Sequence, residues 1–308
     1  MSEEQYTSWA ERNGFANWAL AILWIIGAFV LFQVTANLVG ILLILWQQGG
    51  VFDPTQIEQL VTENIDLLFI GNSTGQILFL GLATWFFARL HTSSEDRSSF
   101  FRFKFHSDTP KKIILTIALI FAIQPFIWLL SWLNAMVPTP EFLSEMQNTQ
   151  MQMIEDFLKG DHLIWLTLFH VALVPAICEE VLYRGYVLRA FEKSWGIWPA
   201  IIVSGLFFGM YHVQPTNLLP LATLGMVFAF ITWTSRSIIP AMVAHLVNNG
   251  GSVLVGTYYP DSAFAEITPE TMPPIEAVIP SLVISGFIVY FMYMQYNKKG
   301  NTKRSSYV

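Results

Sequence analysis

Glu179 and Glu180 stand side by side at the end of the run Val171-Ala172-Leu173-Val174-Pro175-Ala176-Ile177-Cys178, and Arg184 follows one helical turn later. A carboxylate in hydrocarbon is costly, and a second one beside it raises the cost further. Such a pair asks for a chemical reason. Glu180 and Arg184 are four residues apart, so on a helix they share a face and neutralise each other. Glu179 lies about 100° round the same helix and has no obvious partner on it. An unpartnered carboxylate beside a neutralised one suits a general base. The plain alternative is a charge cluster at the cytoplasmic end of a span, held at the interface.

Two further pairs repeat the four-residue spacing: Phe208 with His212, and His245 with Asn249, where Asn248 is a close competitor. A neutral imidazole and a carboxamide on one face can donate to an oxygen that acquires negative charge. Asparagine also holds membrane helices together, and a lone histidine is more often a satisfied core residue. Depth tests the combination. If a turn centres near Trp195, Glu179 precedes it by 16 residues and His212 follows it by 17. At about 1.5 Å per residue both lie roughly 24 Å from that turn, on antiparallel helices. His245 is only nine residues past Arg236, and it matches this depth only if the turn near Trp195 protrudes further. His170 falls on the opposite face from Glu179, while His91, His106 and His162 lie in connections or at a boundary.

The elements that must position these residues are membrane helices. The chain is 54% hydrophobic and only 12% charged, against about 25% charged in soluble domains. Eight apolar stretches are candidate spans, of which the fifth and sixth are short: Trp18–Trp46, Leu67–Ala88, Ile113–Val137, Leu163–Tyr183, Ile197–His212, Leu218–Thr234, Ile238–Gly256 and Ala277–Tyr296. The expected fold is all-α, a polytopic bundle of about eight transmembrane helices. Of the 16 Lys and Arg residues, all but Lys159 fall on one side of these spans. The other side holds acids such as Asp53, Glu58, Glu141, Glu145, Asp161, Glu266 and Glu270. The positive-inside rule puts both termini in the cytoplasm, which an even number of spans satisfies.

The net charge of −6 averages two faces of opposite sign. The basic residues are those that topology demands, so no nucleic acid partner is expected; the bilayer itself is the partner. Cys178 is the single cysteine, which excludes an intramolecular disulfide. The N-terminal Met1-Ser2-Glu3-Glu4 lacks a basic n-region, so no signal peptide is expected. Phe100, Phe101, Phe103 and Phe105 interleave with polar residues in Thr92–Ser107, a pattern for a loop resting on lipid headgroups. Glu141–Leu158 reads as an amphipathic surface helix on the outer side. Polar residues that fit chemistry concentrate after Leu163. The chain therefore divides into flanking helices and loops at 1–162, a core at 163–256, and an outer loop, last helix and basic tail at 257–308.

In this order the pieces Glu179-Glu180-x-x-x-Arg184, Phe208-x-x-x-His212 and His245-x-x-x-Asn249 resemble the CAAX protease and bacteriocin-processing family of intramembrane proteases, which includes the Ras-converting CAAX endoprotease. Gly185 follows the arginine as it often does there. The resemblance covers about Leu163 to Gly256. It implies an intramembrane endopeptidase with Glu179 activating a water and His212 assisting. It further implies that His245 and Asn249 stabilise the oxyanion, that Glu180 and Arg184 brace the site, and that Phe208 faces the substrate. The implied partner is a membrane-associated peptide or protein, of CAAX type or a bacteriocin or leader peptide. The implied location is a cell membrane, read as a prokaryotic plasma membrane. A metal-free mechanism needs no cofactor. If a metal is used, zinc on Glu179, His212 and His245 is the choice, although no His-Glu-x-x-His motif is present.

Two other classes compete. A proton-coupled transporter would use the same glutamates, Arg184 and histidines as a relay, but predicts inverted-repeat symmetry that the sequence lacks. A non-catalytic immunity or scaffold protein would keep the fold without the activity. A serine protease is disfavoured because Ser204-Gly205 lacks a Gly-x-Ser-Gly context, and an aspartyl protease because no aspartate lies within a later span.

Overall fold

A hydrocarbon solvent offers no partner to backbone N–H and C=O groups, so apolar segments must satisfy them internally as helices. The structure, a computed structural model, describes residues 8–50, 60, 63–92, 97–160, 164–263 and 271–305, and every regular element among them is helical. His162 and the acids Asp53, Glu58, Asp161, Glu266 and Glu270 lie outside the described residues. In chain order the main helices are α1 (Asn17–Gln47), α2 (Ile65–Leu90), α3 (Thr109–Ala135), α4 (Glu141–Lys159), α5 (Ile164–Trp195), α6 (Ile197–Tyr211), α7 (Leu218–Ser235), α8 (Ile239–Tyr258) and α9 (Ile275–Ser305).

Helices occupy all eight stretches expected from hydropathy, but among the described residues six are long and apolar enough to cross a membrane by themselves. The two exceptions have different reasons. Helix α6 is apolar but only 15 residues long, about 22 Å at the usual rise. Helix α8 has 20 residues, and its apolar character is diluted by His245, Asn248 and Asn249.

Helix α5 is the centre of the bundle, with Leu182 through Leu188 all buried. It is not a uniform α-helix: the backbone widens to π-type turns over Leu168–Leu173 and again over Val181–Val187. Glu179 and Glu180 close the regular segment between these two stretches. Wide turns of this kind are rare and frequently mark functional positions.

Close backbone contact fastens α1 to α2. A Cβ added at Gly71 would lie 2.3 Å from the Ala36 carbonyl oxygen, and one at Gly75 would lie 2.7 Å from that of Phe32. The Gly71-x-x-x-Gly75 spacing is therefore a helix-packing seam of the small-residue kind. The basic connection between α2 and α3 departs from the expectation of a loop lying on headgroups. Phe103 and Phe105 are exposed, but Phe100 and Phe101 turn inward and are buried. The Phe101 ring occupies the space beside Gly185, where an added Cβ would approach it to 2.3 Å. That contact explains a glycine directly after Arg184.

Pro125, Pro175 and Pro280 lie within membrane helices, and the first two are each compensated from a neighbouring helix. Pro125 lies inside α3. The Ser281 hydroxyl of α9 accepts from Phe126 N at 3.3 Å and donates to the Ala122 carbonyl at 2.7 Å, bridging the break. The second case, Pro175, belongs to the site below. On the acidic side α4 is amphipathic as expected, with Phe142 and Met146 exposed and Phe157 stacked on Phe69 at 3.9 Å between centroids.

At the opposite end, just past α2, His91 is 1% exposed and bonded through both ring nitrogens. Nδ1 donates to Asn17 Oδ1 at 2.7 Å, and Nε2 accepts from the Tyr186 hydroxyl at 2.7 Å. This arrangement fits the neutral ring. Burial, aided by the charge of Lys193, pulls the His91 pKa down from 6.5 to about 4.

Two measurements test these contacts. Gly71→Val is expected to lower stability in detergent by about 2 kcal/mol or more. Gly27→Val, which meets nothing within 4 Å, is the control and should stay near neutral. For His91 the unfolded chain binds the proton more readily than the folded one. The stabilisation is therefore complete above pH 6.5 and is lost as pH falls from 6.5 towards about 4. Thermal melts across that window should show a loss of up to about 3 kcal/mol, and His91→Gln should remove that component.

Candidate active site

Five of the six residues assigned catalytic roles from the sequence meet around one point between α5, α6 and α8. Arg184 Nη1 donates to Glu180 Oε1 at 2.9 Å, with the two side chains 1% and 0% exposed. Arg184 Nη2 donates to the Gly225 carbonyl of α7 at 2.9 Å. An added Cβ at Gly225 would lie 2.9 Å from Gly205 Cα, so only glycine lets α7 close on α6 and bring that carbonyl within reach. The guanidinium also lies over the Phe208 ring at 4.3 Å and the Phe228 ring at 5.2 Å. Phe208 thus has its face against Arg184, not against open space.

His245 completes this layer. Its Nδ1 donates to Glu180 Oε1 at 3.0 Å, because an ionised carboxylate only accepts, and its ring stacks on Phe228. His212 is oriented in the same way by a different acceptor, Nδ1 donating to the Phe208 carbonyl at 2.8 Å. With both Nδ1 atoms committed, each ring presents Nε2 to the same place. The atom found there is Glu179 Oε2, 3.9 Å from His212 Nε2 and 4.0 Å from His245 Nε2. These distances are too long for hydrogen bonds. Glu179 Oε2 is buried and accepts no hydrogen bond from the protein. At hydrogen-bond lengths of about 2.8 Å, atoms 3.9 Å apart subtend about 90° at a shared water oxygen. The three atoms therefore outline a water site.

The set of two imidazoles and one carboxylate also has the chemistry of a zinc site. Zinc at about 2.0–2.1 Å from each of its ligands would hold them about 3.4 Å apart. The observed separations are wider, and among the described residues no group of three or more His, Cys, Asp or Glu is set to hold a metal ion. The residues as placed do not fit the metal.

The His245 depth question is resolved by a stagger. Glu179 is 16 residues before the end of α5 at Trp195, whereas His245 is six residues after the start of α8 at Ile239. Contact between them requires the α5–α6 turn to extend about 15 Å further than the α7–α8 turn, measured along the helices. Arg102 secures that extension from the basic connection by pairing with Glu192 at 3.0 Å.

Asn249 is the exception among the expected site residues. It stands one turn beyond His245, and its Nδ2 donates to the Val171 carbonyl at 3.2 Å. Its own side-chain oxygen accepts from Asn248 at 3.3 Å. The reason lies in Pro175, which has no N–H to give the carbonyl four residues back, that of Val171. Asn249 satisfies that oxygen and fastens α8 to α5 two turns beyond Glu179.

Sequence reasoning missed the residues that hold the turn after His212. Asn134 of α3 donates to the Pro215 carbonyl at 2.9 Å and accepts from Leu219 N at 2.7 Å. Gln147 of α4 accepts from Thr216 N at 3.1 Å and also bonds the Thr216 hydroxyl. The His212 side chain is 24% exposed, whereas Glu179 and His245 are 8% and 2% exposed. The cluster is therefore least enclosed at His212, beside this clamped turn.

Comparison with known proteins bears on the same segment. Residues 161–251 match the family described as Rce1-like, type II CAAX prenyl endopeptidase. This agrees with the resemblance read from the three motifs. No curated protein and no solved structure matches the chain.

The Asn249 assignment makes a specific prediction. Asn249→Ala should lower stability by about 1–3 kcal/mol, because it strands a buried carbonyl in an apolar setting. Adding Pro175→Ala, which returns a backbone N–H to α5, should recover much of that loss in thermal melts. Asn249→Ala together with Pro175→Ala is a test that an oxyanion ligand would fail, since activity would stay low while stability returned.

Proposed function

We propose that this chain, whose residues 161–251 match the Rce1-like family, is an intramembrane endopeptidase in which Glu179 activates a water against a peptide bond. The observation that carries the reading is the convergence of His212 Nε2, His245 Nε2 and an unbonded Glu179 Oε2 at 3.9–4.0 Å. One water donates a hydrogen to Glu179 and its second hydrogen to His212 Nε2. Glu179 takes the first proton as the water oxygen attacks the carbonyl carbon. The carbonyl oxygen becomes an oxyanion, and His245 in its protonated form donates Nε2–H to it. Glu180 offsets that imidazolium charge through Nδ1, while Arg184 holds Glu180 in place. Glu179 then passes its proton to the leaving amide nitrogen as the C–N bond breaks. Acid and amine products account for every atom of the water.

The substrate is a membrane-associated peptide, either of CAAX type or a bacteriocin or leader peptide. A buried site in a multi-pass bundle, least enclosed at His212, suits a bond brought to it from the bilayer. In this reading the membrane is that of a prokaryotic cell, and the positive-inside rule supports a cytoplasmic place for the basic end of the bundle and both termini.

The test uses purified protein in lipid with a library of membrane-tethered peptides, read by mass spectrometry with and without a chelator. Glu179→Ala is expected to lower the cleavage rate by about 100- to 10,000-fold, the span of general base catalysis. Cleavage by the wild type should be indifferent to chelator. Equal cleavage by wild type and variant would overturn the role of Glu179, and loss with chelator would put a metal on His212 and His245.

A further inference from the structure

At the basic end of the bundle, apart from Glu179, a cavity of about 380 Å³ opens between the start of α3, the α7–α8 turn and α9. Leu115 and Met292 give it an apolar wall, and His106, Lys112 and Arg236 a basic one. The single carboxylate in the lining, Asp108, is already neutralised by Lys112 at 2.9 Å, and Lys112 also donates to the Ser235 carbonyl. Arg236 differs. Among the described residues no carboxylate pairs with it, and its guanidinium lies over the Tyr296 ring at 5.0 Å.

Its backbone is informative. Arg236 has φ +59°, the left-handed region that favours glycine. An arginine held there at the cost of strain points to a use for its side chain. His106 Nε2 donates to the Arg236 carbonyl at 3.4 Å and so ties the strained turn to the cavity. A fixed, uncompensated cation therefore sits above an aromatic face, at the level where spans leave the membrane, beside an apolar wall formed by two spans. Basic pockets between membrane helices at this level suit anionic headgroups.

We propose that this cavity binds the phosphate of an anionic glycerophospholipid, with Arg236 as its charge partner and an acyl chain lying along Leu115 and Met292. The amphipathic wall favours a lipid over free phosphate, which has nothing to place against Leu115. The site is independent of the peptidase reading, because none of its residues touches the Glu179 cluster.

Native mass spectrometry of the detergent-solubilised protein tests it, with phosphatidylglycerol and phosphatidylcholine added in parallel and thermal melts run alongside. Arg236→Gly is the informative variant, because glycine suits φ +59° and the fold should not suffer. Lys104→Gln, exposed on the same face but outside the cavity, is the control. Phosphatidylglycerol should stay bound and raise the melting temperature of the wild type and of Lys104→Gln. Arg236→Gly should hold it about fivefold more weakly, the value of one cation near a lipid surface. Equal retention of both lipids, or equal retention of phosphatidylglycerol by Arg236→Gly, would overturn the proposal. A thermal shift with inorganic phosphate alone that Arg236→Gly abolishes would reassign the cavity to the free anion and overturn the lipid assignment.

Discussion

Glu180 and Arg184 meet at 2.9 Å with essentially no solvent on either side chain. Removing two such charges from water costs several kcal/mol each, and their attraction repays that only when the remaining donors and acceptors are also met. The surrounding helices meet part of this demand, while Glu180 Oε2 and Arg184 Nε stay buried without a hydrogen-bond partner. Helix α7 supplies the Gly225 carbonyl to Arg184, α8 supplies the His245 N–H to Glu180, and α6 supplies the Phe208 ring face. Each contribution brings a helix to within a fixed distance of α5. The same geometry that neutralises Glu180 leaves its neighbour Glu179 facing two imidazoles and bonded to neither. A stable core and a reactive carboxylate thus arise from one dipeptide, separated by a turn of about 100° on the helix.

The sequence was most legible where function depends on spacing within one helix. The four-residue interval from Glu180 to Arg184 foretold their pairing, and equal distances from Trp195 foretold that Glu179 and His212 would meet. Hydropathy located every main helix but α4, which came from its amphipathic pattern, and it marked α6 as short but not α8 as too polar to qualify as a span by itself. Most other contacts between residues distant in the chain were not legible. Nothing in the periodicity of Thr92–Ser107 separates Phe101, which fills the space beside Gly185, from Phe105, which faces outward. Asn134 and Gln147 carry no local signal either, since their meaning depends on the turn at Pro215 that they bind. Asn249 was legible as a polar residue on the right face, but its partner was fixed by Pro175 on another helix.

Pro125 and Pro175 show a common solution in different chemistry. Pro175 leaves the Val171 carbonyl without its donor, and an asparagine amide supplies one. Next to Pro125 a serine hydroxyl bridges the adjoining pair, Phe126 N–H and the Ala122 carbonyl. In water the solvent would fill such gaps, whereas in lipid another helix must do so. Irregular backbone in this bundle is therefore also a record of which helices are neighbours.

The Ser281 bridge carries a mechanical consequence. Because its hydroxyl sits between Phe126 N and the Ala122 carbonyl, α9 is coupled to α3 as a peg is to its hole. Sliding one helix along the other would withdraw the peg and expose two backbone groups to hydrocarbon. Rotation about the peg leaves both bonds in place. The two bonds thus oppose shear between these helices more than a pivot about Ser281.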